Sequence, residues 1–417
     1  MKILITNIVS LNAGDAAILY AMIDVLRGAF GDDTQFVVYD KHGEAPARYY
    51  PDLQFRKLLF LTRESRGIRY QLGCWSIKHN IPVLPSIFLR KNERRDLLEY
   101  KNADLIVSSG GTYLVENYSL DARIFDYQIS LYFEKPLVFF TQSLGPFANP
   151  SNRKALTPIF NKSIAILVRD ERSLRNVADL GTEKTKIHLA ADAAFALSDA
   201  EALESAKLPV EKSHEKLRIA ISVREWRHFK EIDSAQGMTQ YVDVLRAVTT
   251  HLVEKHDAQI TYLSTCQGMP EYWTDDSKLA RQIVDGLPAP IRAAVSVDSA
   301  FHYPEELAKI LKDFDLVIAT RMHMAIMALG VGTPVLPIAY EFKMQELFER
   351  LGQRRYVQDI ETLSGDALIE AVDQFLSQLP EIREPLFTAV EHERASAAAS
   401  GAIVKQAYEE WRRVNRR

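Results

Sequence analysis

Cysteine is nearly absent. Cys74 and Cys266 stand far apart among 417 residues, without the spacing of a zinc site or a disulfide framework. Glycine (18) and proline (17) are too few for a disordered or fibrous chain. No apolar run is long enough to span a bilayer: the richest, 324–340, is broken by Gly330, Gly332, Pro334 and Pro337. The opening MKILITNIVSLNAGD has too short an apolar stretch for a secretory leader and reads as a first strand. A basic excess is also lacking; the net charge of −4 argues against a nucleic-acid-coating protein. HExxH, P-loop and GxSxG patterns are missing, which withdraws support from zinc hydrolysis, P-loop phosphoryl transfer and α/β-hydrolase chemistry. What is left is an average globular composition, 47% apolar and 25% charged, long enough for two large domains or three ordinary ones and expected in the reducing cytoplasm.

Short apolar runs alternate with helical segments along the whole chain. Lys2–Ile8, Phe36–Tyr39, Ala103–Ser108, Pro136–Thr141 and Ala165–Val168 read as strands of a first series. Leu217–Val223, Ala258–Ser264, Asp315–Ala319 and Thr333–Ile338 read as strands of a second. This doubling predicts an α/β protein of two facing, doubly wound, Rossmann-like domains with a cleft between them and a long C-terminal helix. The expected divisions are an N-terminal domain over 1–200, a polar linker over 201–216, a second domain over 217–385, and a helix with a basic tail over 386–417.

Ligands in such sheets gather at the carboxyl ends of the strands, so the residues just after strands carry the information. Asn12-Ala-Gly-Asp15 opens the first helix. Gly14 admits a ligand close to the backbone there, while Asp15 is a candidate base or merely a helix cap. Gly110 and Gly111 follow a strand and permit close approach of a sugar, or simply make a tight turn. Arg224 ends a strand beside Trp226 and His228, a setting for an anion. Arg321 and His323 stand at the start of a small apolar helix after DLVIA. A guanidinium and an imidazole at a helix N-terminus make a strong anion site, and the imidazole can also transfer protons near neutral pH. Lys343 is a possible second cation after the next strand. Residues 56–95 carry net charge +8 interleaved with Leu58, Phe60, Tyr70, Trp75 and Phe88, which suggests peripheral contact with anionic lipid or an ordinary solvated face.

In order, these pieces resemble the polysaccharide pyruvyl transferase family. The resemblance rests on Asn12–Asp15, Ser109-Gly-Gly111, Gln142-Ser-Leu-Gly-Pro146 and Val168-Arg-Asp-Glu-Arg-Ser173. Arg321-Met-His323, Gly330-x-Gly-x-Pro334 and Tyr340-x-x-Lys343 complete it, so it spans roughly residues 1–355. Asp192-Ala-Ala stands where relatives often carry Asp-Pro-Ala. The resemblance implies a GT-B-like fold and transfer from phosphoenolpyruvate to a sugar of a surface or extracellular polysaccharide, or its precursor. The product would be a pyruvate ketal and phosphate, with no cofactor. It implies phosphoenolpyruvate binding at Arg224, Arg321, His323 and Lys343, with His323, Arg321 and Asp15 carrying the chemistry. Asn12, Gly14, Gly110, Gly111, Gln142 and Ser143 would fall on the acceptor side. The acceptor would be a nucleotide sugar, a lipid-linked oligosaccharide or a polymer.

Two other readings stay open on the residues alone. A nucleotide-sugar glycosyltransferase of the same fold would want a carboxylate for the ribose, and only Glu341 is near. A non-catalytic sugar- or lipid-binding component would have no need of His323 as a proton donor.

Overall fold

The strands form where β-branched and aliphatic residues run together, as in LRIAIS and DLVIA, and the parallel sheets they make are apolar on both faces. The computed structural model describes residues 1–58, 68–79, 81, 87–116, 119–208 and 215–415. The chain packs as two units, Met1–Ser10 with Ile18–Ala193 and Ser396–Arg417, and Leu11–Ala17 with Ala194–Ala395.

The first unit is built on β1 (Lys2–Ile8), β2 (Gln35–Asp40), β3 (Gln54–Lys57), β4 (Leu105–Ser108), β5 (Gly111–Leu114), β6 (Leu137–Leu144), β7 (Ala165–Val168) and β8 (Ile187–Leu189). Their order is β3-β2-β1-β4-β6-β7-β8, with β5 added against β6, and every pairing is parallel. Ile106, Phe139 and Ile166 from three neighbouring strands are fully buried with Tyr127, Leu156 and Phe160 of the covering helices. Each such side chain stabilises the fold by about 1.5–3 kcal/mol.

The second unit holds β9 (Arg218–Ser222), β10 (Gln259–Tyr262), β11 (Val295–Val297), β12 (Leu316–Ala319), β13 (Val335–Ala339) and β14 (Gln358–Asp359). The order is β11-β10-β9-β12-β13-β14, again parallel throughout. Ile219, Ile221, Leu316, Ile318, Leu336 and Ile338 form its core with Leu245, Val248 and Phe375. Both sheets change winding direction at the first strand of their series, β1 and β9, the arrangement that opens a ligand crevice at the carboxyl edge.

Three boundaries differ from expectation. The segment expected as linker enters as a helix, Ala200–Ala206, capped by Asp199; Ala202, Leu203 and Ala206 are buried, so it is part of the second unit. Residues 209–214 of that stretch lie outside the described residues. The last helix begins at Gly365 and runs to Asn415 through Pro380 and Pro385, so the expected start at 386 falls inside it. Third, Leu11–Ala17 pack with the second unit although Ile18–Phe30, the rest of the same helix, belong to the first.

Among the described residues no helix is long and apolar enough to cross a membrane. Of the basic segment, Arg63 and Arg66 lie outside the described residues, as does Phe60, and the tail's Arg416 and Arg417 do too.

Candidate active site

Four adjacent strands of the second unit end at one edge, and each delivers part of a single constellation. β12 ends at Ala319, and Thr320-Arg321 leads into the helix Met322–Gly330. Arg321 is the N-cap of that helix, yet its side chain makes no cap bond. Instead its Nε and NH2 donate to Asp276, at 2.9 and 2.6 Å. Asp276 opens the helix Asp276–Asp285 after β10, is fully buried, and also accepts from Ser264 Oγ at 2.5 Å. Burial works most strongly against the Arg321 charge, but Asp276, with Cys266 and Tyr340, together outweigh it and hold the guanidinium well above its ordinary pKa. Nε and one N–H of NH2 are committed to Asp276. NH1 and the second N–H of NH2 form the other edge of the guanidinium.

His323 sits two residues on, in the first turn of the same helix. Gly14 is pressed against it: a Cβ added at Gly14 would lie 2.6 Å from His323 Cβ and 2.9 Å from Nδ1. The Asn12–Asp15 turn, expected on the acceptor side, is therefore beside His323 in the second unit. Asn12 organises the turn, accepting from Gly14 N at 2.9 Å and donating to Asp15 Oδ2 at 3.0 Å. Ala13 N donates to Thr265 O at 2.9 Å, which ties the turn to the loop after β10. Cys266 in that loop is fully buried, and burial pushes its thiol up to about 12, so it is an inert neighbour of Arg321. The Tyr272 hydroxyl is raised by burial and by the negative groups around it, Asp15 among them.

Arg224 follows β9. Its NH1 donates to Tyr340 Oη, and its guanidinium lies 4.2 Å from the Tyr340 ring centre and 5.4 Å from that of Trp226. Trp226 and Tyr340 pack with ring centres 4.6 Å apart. Lys343 Nζ is 5.5 Å from the Tyr340 ring centre and pairs with Glu341 at 2.9 Å. Glu341 is thus engaged by a lysine. The edge combines two arginines, a lysine, an imidazole and a helix N-terminus, a setting suited to a small polyanion.

The first unit treats its expected residues differently. Gln142 and Ser143 are fully buried in β6. Gln142 Nε2 donates to Ser108 O and Oγ, at 3.1 and 2.6 Å. Ser143 Oγ donates to Asp170 at 2.6 Å and accepts from Arg169 Nε at 2.8 Å. Both therefore brace the sheet. Arg169 also pairs with Asp192 and donates to Thr112 at 2.6 Å, which accounts for the Val168–Ser173 motif as scaffold. Gly110 is held by packing, since a Cβ there would meet Ile18 at 2.8 Å. Gly111 adopts φ +117°, which favours glycine, and begins β5 rather than a helix.

Sequence reasoning missed Asp276, which looks like one more cap in a run of polar residues. It also missed a basic group at the carboxyl edge of the first sheet. There Arg123 donates to Asn7 Oδ1 at 2.8 Å and lies 5.6 Å from the Tyr113 ring centre. Lys41 after β2 feels its charge and is lowered, chiefly by burial. No local motif marks these residues.

Comparison with known proteins bears on the fold and the family. Solved structures similar across nearly the whole chain include a UDP-GlcNAc 2-epimerase from Neisseria meningitidis (TM-score 0.60, 12% identity, 98% of this chain and 100% of that one). The HepE protein of Anabaena in complex with UDP-glucose is another (TM-score 0.56, 10% identity, 99% of each chain). At these identities they establish the fold alone: two Rossmann-like parallel sheets of the GT-B class. The polysaccharide pyruvyl transferase family model matches residues 12–341, and the chain belongs to that family. It is a transferase acting in pyruvyl transfer to polysaccharide. A curated relative, the amylovoran biosynthesis protein AmsJ of Erwinia amylovora, is 28% identical over 301 residues, 70% of each protein.

The contact at Gly14 yields a prediction. Gly14→Ala should displace the His323 ring and lower turnover about 100-fold, the cost of misplacing a catalytic group by roughly 1 Å. Circular dichroism should stay native, because alanine favours a helix. Steady-state kinetics of the variant at wild-type turnover would refute the coupling.

Proposed function

We propose that phosphoenolpyruvate is the donor and that it binds at the carboxyl edge of the second sheet. The observation that carries this is the Arg321–His323 helix start, fixed by Asp276 on one side and closed by Gly14 on the other. Phosphoenolpyruvate is small and carries a carboxylate and a phosphate; NH1 of Arg321, the guanidinium of Arg224 and Lys343 supply matching cations.

The reaction begins when His323, as imidazolium, gives a proton to the methylene carbon, and C2 becomes electrophilic. One sugar hydroxyl adds to C2 and loses its proton, with Asp15 as acceptor. The C2–O bond to phosphate then breaks, the arginines bearing the leaving charge. A second hydroxyl of the same sugar closes the ketal. Of the two hydroxyl protons, one balances the proton added to carbon and the other leaves with phosphate.

For the acceptor, this reading assigns the carboxyl edge of the first sheet, where Gly111, Asn7, Lys41 and Arg123 stand. The name of the Erwinia relative supports an exopolysaccharide or its precursor as the destination. Ile68, Leu72 and Trp75, exposed at i, i+4 and i+7 of one helix, support peripheral attachment to anionic lipid in the basic segment. Co-sedimentation with anionic but not neutral vesicles checks that attachment, and no sedimentation with either would remove it.

The test of the main reading is complementation of a strain lacking this protein. The wild-type chain should restore acid-labile pyruvate on the polysaccharide, and His323→Gln should not. Full restoration by His323→Gln would leave the chain a binding role only.

A further inference from the structure

A second cluster of chemically capable side chains lies outside the donor edge. His251 and His256 are near the C-terminal end of the helix Ser234–His256, and Asp373 is on the long final helix; all three belong to the second unit. Both imidazoles aim Nε2 at the same carboxylate oxygen, His251 at 2.9 Å and His256 at 2.7 Å from Asp373 Oδ1. Residues five apart are about 140° round a helix of 3.6 residues per turn. Their convergence on one atom is thus set by tertiary packing and does not follow from helix periodicity. The three ligand atoms all lie within 4.8 Å of one another.

We propose that His251, His256 and Asp373 form a binding site for a divalent transition-metal ion of the zinc class. Two imidazole nitrogens and a carboxylate oxygen are the ligand types such an ion takes, at about 2.0–2.2 Å each. Ligands at that distance stand roughly 3.0–3.4 Å apart for octahedral or tetrahedral angles. The observed nitrogen–oxygen separations, 2.9 and 2.7 Å, need to open by about 0.1–0.7 Å to reach that range. Three protein ligands leave a fourth position for water.

The surroundings favour a cation. The helix Ser234–His256 ends here, with Asp257 in the left-handed conformation, so its carbonyl end and negative dipole point to the cluster. Asp373 also lines a solvent-open hollow with Asp366 and Glu370, which gives the ion an acidic approach. One group opposes it: Lys255 pairs with the other oxygen of Asp373. Its side chain is 57% exposed and can turn to water, as the ion requires. The ion would join the helix Ser234–His256 to the final helix, and it has no part in the donor reading.

The test uses the full chain, stripped with chelator and titrated with zinc chloride in a calorimeter at neutral pH. One micromolar site is expected, and it should be absent from the His251→Gln/His256→Gln variant, in which the amides preserve hydrogen bonding. Asp373→Asn should lose the same site and serves if the double variant does not fold. Lys255→Gln should bind zinc severalfold more tightly, since a competing solvated charge is gone. At about 100-fold excess of zinc over Kd the wild-type melting midpoint should rise by several degrees, and the double variant's should not. Superimposable isotherms for wild type and double variant, or no zinc heat in either, would overturn the site.

Discussion

Arg321→Ala is expected to raise the apparent KM for phosphoenolpyruvate about 30-fold or more, because a truncated charge-assisted contact costs on the order of 2 kcal/mol. The same substitution should also destabilise the fold. Asp276 is fully buried and accepts from two nitrogens of Arg321. Removing the guanidinium leaves a carboxylate in the interior, a loss of about 3–5 kcal/mol. The two effects separate in the double variant Arg321→Met/Asp276→Leu. Replacing both partners by apolar residues of similar volume is often neutral or stabilising, so its urea midpoint should return to near the wild-type value. Donor binding should not return with it. A double variant that regains stability and donor affinity together would make the arginine a purely structural group.

His323→Ala should act on a different parameter. The imidazole stands in the first turn of Met322–Gly330, so in the proposed reaction its proton and the helix N–H groups would address the donor together. General acid catalysis is worth about 100- to 10,000-fold, so kcat should fall by that factor. Donor affinity should change about threefold or less, because the arginines remain. Single-turnover experiments at saturating phosphoenolpyruvate check this directly. Parallel losses in kcat and affinity would make His323 a binding group and require another proton donor.

Much of this architecture was legible from short-range pattern. LRIAIS and DLVIA are apolar on every residue that matters to a buried parallel strand, and Arg321 and His323 announce themselves by following such a run. What escaped was long-range. Asp276 meets Arg321 across 45 positions, and nothing in Thr274–Ser277 distinguishes a buried ion-pair partner from a helix cap. Gln142 and Ser143 looked like strand-end ligands because β5, which pairs with that part of β6, is only four residues long and starts on the second of two glycines that read as a turn. The linker was inferred from an Ala/Glu/Lys composition, yet Ala202, Leu203 and Ala206 already give that short helix an apolar stripe. The Asn12–Asp15 turn belongs with the second unit through Thr265 and His323, contacts more than 250 residues away that no local motif encodes.

The most direct measurement is calorimetric titration of the purified chain with phosphoenolpyruvate, with UDP and UDP-sugars as controls. Saturable binding of phosphoenolpyruvate is expected, and it should disappear in the stability-restored Arg321→Met/Asp276→Leu variant. Binding of UDP at this edge, with no response to phosphoenolpyruvate in the presence or absence of an acceptor sugar, would contradict the assignment of this edge to the donor.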